Sequence, residues 1–226
     1  MFLLDDHDFM DGYGTPGYVK ITDRFKSYEE MANLVHLEMM PPCQIVVDIG
    51  KYRLLFLDTR RAFRDTGTRF PPQMIADVHI AGLSARPGTQ FIVCLPQPLV
   101  HLDVVHAYLQ GLVFSDGVDE SEHPVNRKGA RHLTSVLQTL GTRTFVVSGD
   151  VHCALIQNHG AHLTELITSG ITRETRDRAP RIARFLMWVQ QNVNTLRWTT
   201  TVHNRRNLVS RNNIGGLRGD LPYIVS

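Results

Sequence analysis

The sequence lacks the long apolar stretch that would place it in a membrane. None of its 226 residues belongs to a run approaching the roughly 20 apolar residues of a membrane span. Its first residues do not form the basic segment and apolar run of a signal peptide. From the sequence as given we therefore expect a cytoplasmic location and no membrane partner.

The sequence also lacks an excess of charge of one sign. It carries 24 Lys and Arg against 22 Asp and Glu, for a formal net charge of +2. A protein that binds nucleic acid usually presents a clustered basic face, and the short pairs Arg60–Arg61 and Arg205–Arg206 do not make one. We expect no nucleic-acid partner.

Cysteine is scarce. The three cysteines, Cys43, Cys94 and Cys153, are odd in number and widely spaced, which excludes a disulfide framework of the kind found in small secreted domains. Two of them lie within apolar runs, where a free thiol behaves as a small hydrophobic group. We expect reduced cysteines in the core.

What is present is an alternation of apolar segments with two different periods. Patterns of period 2 predict strands, and patterns of period 3.6 predict helices. The predicted strands are 44–49 and 52–57, joined as a hairpin through Gly50-Lys51, then 90–95, 144–148, 163–168 and a final strand after a polar loop at 203–213. The predicted helices are 27–38, 71–85, 128–140 and 179–193. The fold class predicted is α/β or α+β around a mixed sheet.

An acidic cluster follows the first apolar residues. Met1–Leu4 is typical of the end of a buried strand, and it leads directly into Asp5–Asp8, with the sequence Asp-Asp-His-Asp. Like charges this close repel one another, and a bound cation is the usual remedy. The alternative is a solvated loop that makes a turn or caps a helix.

A second cluster, Ser148–His152, also follows an apolar strand. Asp150 and His152 are two residues apart, so in extended chain both side chains point the same way and can reach one ion. Carboxylate oxygen with imidazole nitrogen suits Mn, Fe, Zn or Ca. The alternative is a turn with a hydrogen-bonded histidine. Both clusters follow buried strands, and the ends of strands are where α/β sheets bind ligands.

Four segments together resemble one known family. They are LDDHDFMDGYG (4–14), LLFLDTRR (54–61), VVSGDVHCA (146–154) and the run from Arg211 to Gly215. In this order they are similar to the PhoD-like, or alkaline phosphatase D, branch of the calcineurin-like metallophosphoesterases. The resemblance covers most of the chain. It implies one domain over 1–226, the C-terminal part of a layered αββα sandwich with mixed β-sheets.

The resemblance also implies an activity and a set of residue roles. The activity is metal-dependent hydrolysis of small-molecule phosphate mono- or diesters, with divalent or trivalent ions (Fe, Mn, Zn or Ca) as cofactors. By match to the family motifs, Asp6, Asp150 and His152 are metal ligands and His7 donates a proton to the leaving oxygen. Arg60 matches the arginine of a family Asp-x-Arg segment and is expected to contact substrate phosphate. The alternative for Arg60 is a surface salt bridge.

The sequence departs from the family at its beginning. The superfamily opens with an Asp-x-His strand end and a Gly-Asp loop, and neither precedes Asp5–Asp8. We therefore expect an N-terminally incomplete domain that binds at most one ion and has little activity by itself, with a possible missing N-terminal half as its complement. Two alternatives stay open: a non-catalytic remnant without turnover, and a mononuclear metallohydrolase that uses Asp6, Asp150 and His152.

Overall fold

The computed structural model describes residues 45–99, 124–140, 143–149, 154–168, 204–209, 214–218 and 221–225. The fold is given for these ranges. The acidic cluster Asp5–Asp8 and the predicted helices at 27–38 and 179–193 lie outside them.

Strands and helices alternate along the first half of the described chain, and strands dominate the second half. In chain order the elements are β1 (Ile45–Ile49), β2 (Tyr52–Phe56), α1 (Thr59–Thr66), α2 (Pro72–Leu83), β3 (Gln90–Cys94), α3 (Pro124–Thr139), β4 (Thr144–Ser148), β5 (Ala154–Asn158), β6 (Leu163–Ile167), β7 (Asn204–Val209), β8 (Ile214–Arg218) and β9 (Leu221–Val225).

Seven of the strands form one mixed sheet in the order β1-β2-β3-β4-β6-β5-β7. Strands β2, β3, β4 and β6 run parallel to one another. Strand β1 is antiparallel to β2, and β5 is antiparallel to both β6 and β7. Strands β8 and β9 pair separately as an antiparallel hairpin. The predicted α/β class with a mixed sheet is confirmed.

The hydrophobic core lies on one face of this sheet. Side chains two residues apart on a strand share a face, and the buried residues Leu55, Phe91, Val93, Val146 and Leu163 occupy matching positions across β2, β3, β4 and β6. All three helices pack against them in a single cluster. Their contributing residues are Ala62, Met74, Ile75, Val78, Ala81, Ala130, Leu133 and Leu137.

The opposite face of the sheet is apolar and unevenly covered. Leu54, Ile92 and Val147, on β2 to β4, are half-buried there. Farther along, Gly215 of β8 lies directly against Leu166 and Thr168, so the β8–β9 hairpin covers the sheet over β6. The parallel strands are thus protected on both sides at β6, as parallel sheets generally are.

Most of the predicted elements within the described ranges are confirmed. The β1–β2 hairpin turns at Gly50, whose φ of 60° is readily adopted only by glycine. Helix α2 begins immediately after Pro71, as proline at a helix start favours. Helix α3 begins at Pro124, four residues before the predicted start at 128.

Two elements contradict the prediction. Residues 59–66 form a helix that was not predicted, because eight residues give too few turns for a clear apolar period. Residues 204–209 (NRRNLV) form β7 within the predicted polar loop. This strand has no apolar pattern, and its backbone hydrogen bonds come from pairing with β5. Tertiary context here overrides local preference.

No helix in the described ranges is both long and apolar enough to cross a membrane.

Two glycines allow a test of how α2 and α3 pack. A Cβ added to Gly129 would lie 2.7 Å from the carbonyl oxygen of Phe70, which is backbone, whereas a Cβ on Gly82 would meet the end of the Leu140 side chain, which can rotate away. Both Gly→Ala changes gain about 1 kcal/mol of helix propensity. We expect Gly129→Ala to lower the free energy of unfolding by about 1–3 kcal/mol, as overpacking does, and Gly82→Ala to cost less. Urea denaturation of both variants measures this, and equal midpoints would contradict it.

Candidate functional site

The carboxyl ends of β2, β3, β4 and β6 lie along one edge of the sheet, because these strands are parallel. We call it the carboxyl edge and define it by the residues that follow the strands: Asp58, Gln97, Gly149 and Thr168. Backbone hydrogen bonds continue beyond the strands and hold it together. The Gly149 amide donates to the Pro96 carbonyl (3.3 Å), and the Thr168 amide donates to the Ser148 carbonyl (2.8 Å).

Asp58 joins β2 to α1. Its carbonyl accepts the first hydrogen bond of the helix, from the Ala62 amide (3.0 Å), so Asp58 is the N-cap residue. Its own exposure is 5%, and that of Arg60 is 1%. Arg60 is therefore not the surface side chain that the alternative assumed. Burying a guanidinium is costly unless polar groups compensate.

The loop after β3 is held through its backbone by two buried charged side chains. The Arg69 guanidinium donates to the carbonyls of Gln97 and Pro98, both at 3.3 Å. The next residue, Leu99, donates its amide to Oε1 of Glu165 at 2.7 Å. Three successive residues are thereby held by two different side chains, which orders a loop that has no regular secondary structure.

Arg69 is itself positioned by α3. Its backbone amide donates to Oδ1 of Asn126 (2.9 Å), a fully buried residue in the first turn of that helix. The guanidinium also lies 4.9 Å from the centre of the Phe70 ring, at cation–π distance. The segment between α1 and α2 is thus attached to both α3 and the loop after β3.

Glu165 makes several polar contacts in the interior. It is fully buried on β6, and its carboxylate accepts hydrogen bonds on both oxygens. Oε1 accepts from the Leu99 amide and from Ser148 Oγ (3.1 Å), while Oε2 accepts from Gln157 Nε2 (3.2 Å) and lies 2.9 Å from His159 Nε2. A carboxylate has about four acceptor positions, and four polar groups lie within hydrogen-bonding distance of these two oxygens.

Strand β4 brings the first two residues of the second predicted cluster, Ser148 and Gly149, to the carboxyl edge. Its last residue is Ser148, and Gly149 follows without a positive φ. A Cβ on Gly149 would lie 3.3 Å from the Thr168 carbonyl oxygen, so glycine serves here for close approach and not for a sharp turn. Asp150 is the next residue in the sequence, and it lies outside the described ranges.

Cys94 ends β3 close to the same edge. Burial raises the pKa of its thiol to about 11, from an ordinary value of 9.0. Near neutral pH the sulfur is protonated, and it is the thiolate that acts as nucleophile or metal ligand. Cys94 is a free thiol, as predicted, but it is half-buried and lies outside the apolar core cluster, so the expected core position is wrong for this residue. Cys43 and Cys153 lie outside the described ranges.

The predicted site residues divide into two groups. Arg60 lies at the carboxyl edge, whereas Asp6, His7, Asp150 and His152 belong to segments that the structure does not describe. Among the described side chains alone, no three His, Cys, Asp or Glu residues come together as a metal site would require.

Sequence reasoning missed Glu165 and Arg69. The signal for Glu165 was present, because a glutamate at the centre of the apolar strand LTELI occupies a core-facing position and must have buried partners. Arg69 gave no such signal, since it follows a short polar segment that resembles an exposed loop. Its burial depends on contacts with residues distant in sequence.

Comparison of the chain with protein-family models, with curated proteins and with solved structures finds no match to any of them.

The pKa of Cys94 leads to a test of reactivity. A shift from 9.0 to about 11 lowers the thiolate fraction at pH 8 about 100-fold. We expect Cys94, in a variant carrying Cys43→Ser and Cys153→Ser, to react with a disulfide reagent about 100-fold more slowly in the folded chain than in urea. Because the folded pKa is the higher one, the stability from this burial is complete below pH 9 and declines as the pH rises towards 11. Equal rates folded and unfolded would contradict the assignment.

Proposed function

We propose that this chain carries part of the active site of a metal-dependent phosphoester hydrolase of the PhoD-like type. In this proposal the seven-stranded sheet and its helices are one half of a layered αββα sandwich. The substrate is a small phosphate mono- or diester, bound at the carboxyl edge.

One observation supports the proposal above the others. Four parallel strands end at one edge, and that edge carries the buried pair Asp58 and Arg60 together with Gly149, the residue before Asp150. Ligands of open α/β sheets bind outside the carboxyl ends of the strands. Two of the four segments that carry the family resemblance therefore contain strands that end along this edge, which supports the proposal.

The donor atoms at this edge fit an oxygen-preferring metal ion. Asp58 brings a carboxylate, and Gln97 brings an amide. The hydroxyl oxygen of Thr59 is buried and has no hydrogen-bond partner within the described part of the chain. Cys94 keeps its proton. Oxygen donors without thiolate suit Mn, Ca or Zn more than a soft metal.

The proposed roles follow the sequence. Asp6, Asp150 and His152 hold the ion, His7 gives a proton to the leaving oxygen, and Arg60 contacts the phosphate. A bound metal ion supplies Lewis-acid polarisation of the phosphoryl oxygen and lowers the pKa of a bound water. The buried arginine adds a fixed positive charge in a poorly hydrated setting, where electrostatic interactions are stronger than in water.

Metal titration is the direct test. We expect the chain to bind Mn²⁺ or Zn²⁺ in calorimetry. Asp150→Asn and His152→Ala should weaken that binding by more than the roughly 10–100-fold that loss of an outer hydrogen-bond partner costs. The first replaces a charged carboxylate by a neutral amide, and the second removes the donor nitrogen. Asp48→Asn and His162→Ala, which change an exposed carboxylate and an exposed imidazole, are the matched controls.

Hydrolysis of nitrophenyl phosphate and bis(nitrophenyl) phosphate, with and without chelator, completes this test. Metal binding that is unaffected by Asp150→Asn and His152→Ala would overturn the proposed ligands. Binding at the proposed site without turnover of either ester, even on a longer chain that supplies the two absent motifs, would favour the non-catalytic alternative.

A second test concerns Arg60. Replacement by lysine keeps the charge but loses the planar, two-pronged donor geometry. In the presence of Mn²⁺ we expect Arg60→Lys to bind inorganic phosphate about tenfold more weakly, equivalent to one charge-assisted hydrogen bond.

Arg53→Lys is the control for this test. Arg53 makes a two-pronged contact with Asp48, at 2.7 and 2.8 Å. It lies near the amino end of β2, away from the carboxyl edge. An equal loss of phosphate affinity in both variants, or none in Arg60→Lys, would contradict the role of Arg60.

A further inference from the structure

The two oxygens of the Glu165 carboxylate contact different parts of the molecule. Oε1 contacts the carboxyl edge, through Ser148 at the end of β4 and Leu99 after β3. Oε2 contacts the β5–β6 hairpin, through Gln157 and His159. One side chain thus links the residues at the carboxyl edge to the β5–β6 hairpin.

The Oε1 contacts act on the backbone that carries the site. The Leu99 amide has Glu165 as its acceptor, and Arg69 holds the two preceding carbonyls, so the loop containing Gln97 is fixed from both sides. Ser148, which donates a hydrogen bond to the carboxylate, precedes Gly149 by one residue and Asp150 by two in the sequence. Hydrogen bonds to a buried charge are stronger than neutral ones, so both attachments are firm.

The Oε2 contacts have a different character. Gln157 and His159 belong to the same hairpin as Glu165, and the Gln157–Glu165 pair is a direct cross-strand neighbour. The carbonyl of His159 also accepts a hydrogen bond from Gln138 on α3. These contacts stabilise the hairpin and its packing on the helix without involving a residue that follows a parallel strand.

We propose that Glu165 is a positioning residue of the candidate site, acting through Oε1 on Ser148 and on the loop that contains Gln97. The expected effect of Glu165 on metal binding rests on the proposed function. Its structural content, the fixing of Leu99 and Gly149, is independent of that function and can be measured separately.

Two variants separate the roles of the two oxygens. Ser148→Ala removes one donor to Oε1, and His159→Phe removes one donor to Oε2 with a ring of similar shape. Each leaves Glu165 in place and deletes one hydrogen bond, so their costs in folding stability are comparable. Direct replacement of Glu165 would leave several buried donors without an acceptor and risks unfolding the protein, which is why the donors are changed instead.

Two measurements are made on the wild type and both variants. The first is amide hydrogen exchange at Leu99 and Gly149 by NMR. The second is Mn²⁺ affinity by calorimetry. We expect Ser148→Ala to speed exchange at both amides and to weaken metal binding by about tenfold, the lower end of the range for loss of an outer hydrogen-bond partner. We expect His159→Phe to speed exchange in the hairpin, at Leu163 and Thr164, and to leave metal affinity within about twofold of wild type.

The outcomes distinguish this inference from the proposed function. If the wild type binds no metal but Ser148→Ala selectively loosens Leu99 and Gly149, the proposed function fails and the positioning by Glu165 stands. If the two variants change exchange at these amides equally, or neither changes it, the positioning role is overturned whatever the metal affinity. If the wild type binds metal and exchange responds as expected, but Ser148→Ala leaves the metal affinity unchanged, then Glu165 orders the edge without affecting metal binding. That result also overturns the inference.

Discussion

The buried carboxylate of Glu165 accepts hydrogen bonds from the loop after β3, from the end of β4 and from the β5–β6 hairpin. A charge removed from water is tolerated only when its acceptor positions are filled. That requirement fixes the relative positions of all three segments, because moving any of them leaves a donor or an acceptor unsatisfied in the interior. The geometry of the carboxyl edge depends on this constraint as well as on the apolar core.

Several charged and polar side chains near the carboxyl edge are buried. Asp58 and Arg60 follow β2, and Arg69 lies under the loop after β3, all nearly or completely buried. The apolar cluster beneath them gives the sheet its stability, and the polar layer gives its edge a defined arrangement. Polar groups in a poorly hydrated setting interact strongly, so such a layer is suited to orienting an anionic ligand.

Much of the sheet was predictable from the sequence, because its central strands carry compact apolar runs bounded by glycine or proline, as in QFIVC before Pro96. Helix α1 and strand β7 were not, because the former is short and the latter polar, and only pairing or packing with distant residues defines them. At the candidate site, the sequence placed Arg60 after a strand but suggested an exposed side chain. Its burial follows from the packing of α1 on the sheet, which no local pattern encodes. Glu165 was predictable in principle from its place in an apolar strand, whereas Arg69 was not.

In the β8–β9 hairpin, Gly216 is the direct cross-strand neighbour of Tyr223, and a Cβ at position 216 would meet the phenol oxygen at 2.6 Å. The aromatic ring therefore lies over the glycine and covers backbone that would otherwise face water, an arrangement known to compensate glycine in strands. The two positions are coupled: a larger residue at 216 displaces the ring, and a smaller one at 223 uncovers the glycine. Among sequences that share this hairpin, substitutions at 216 and 223 should accordingly be correlated.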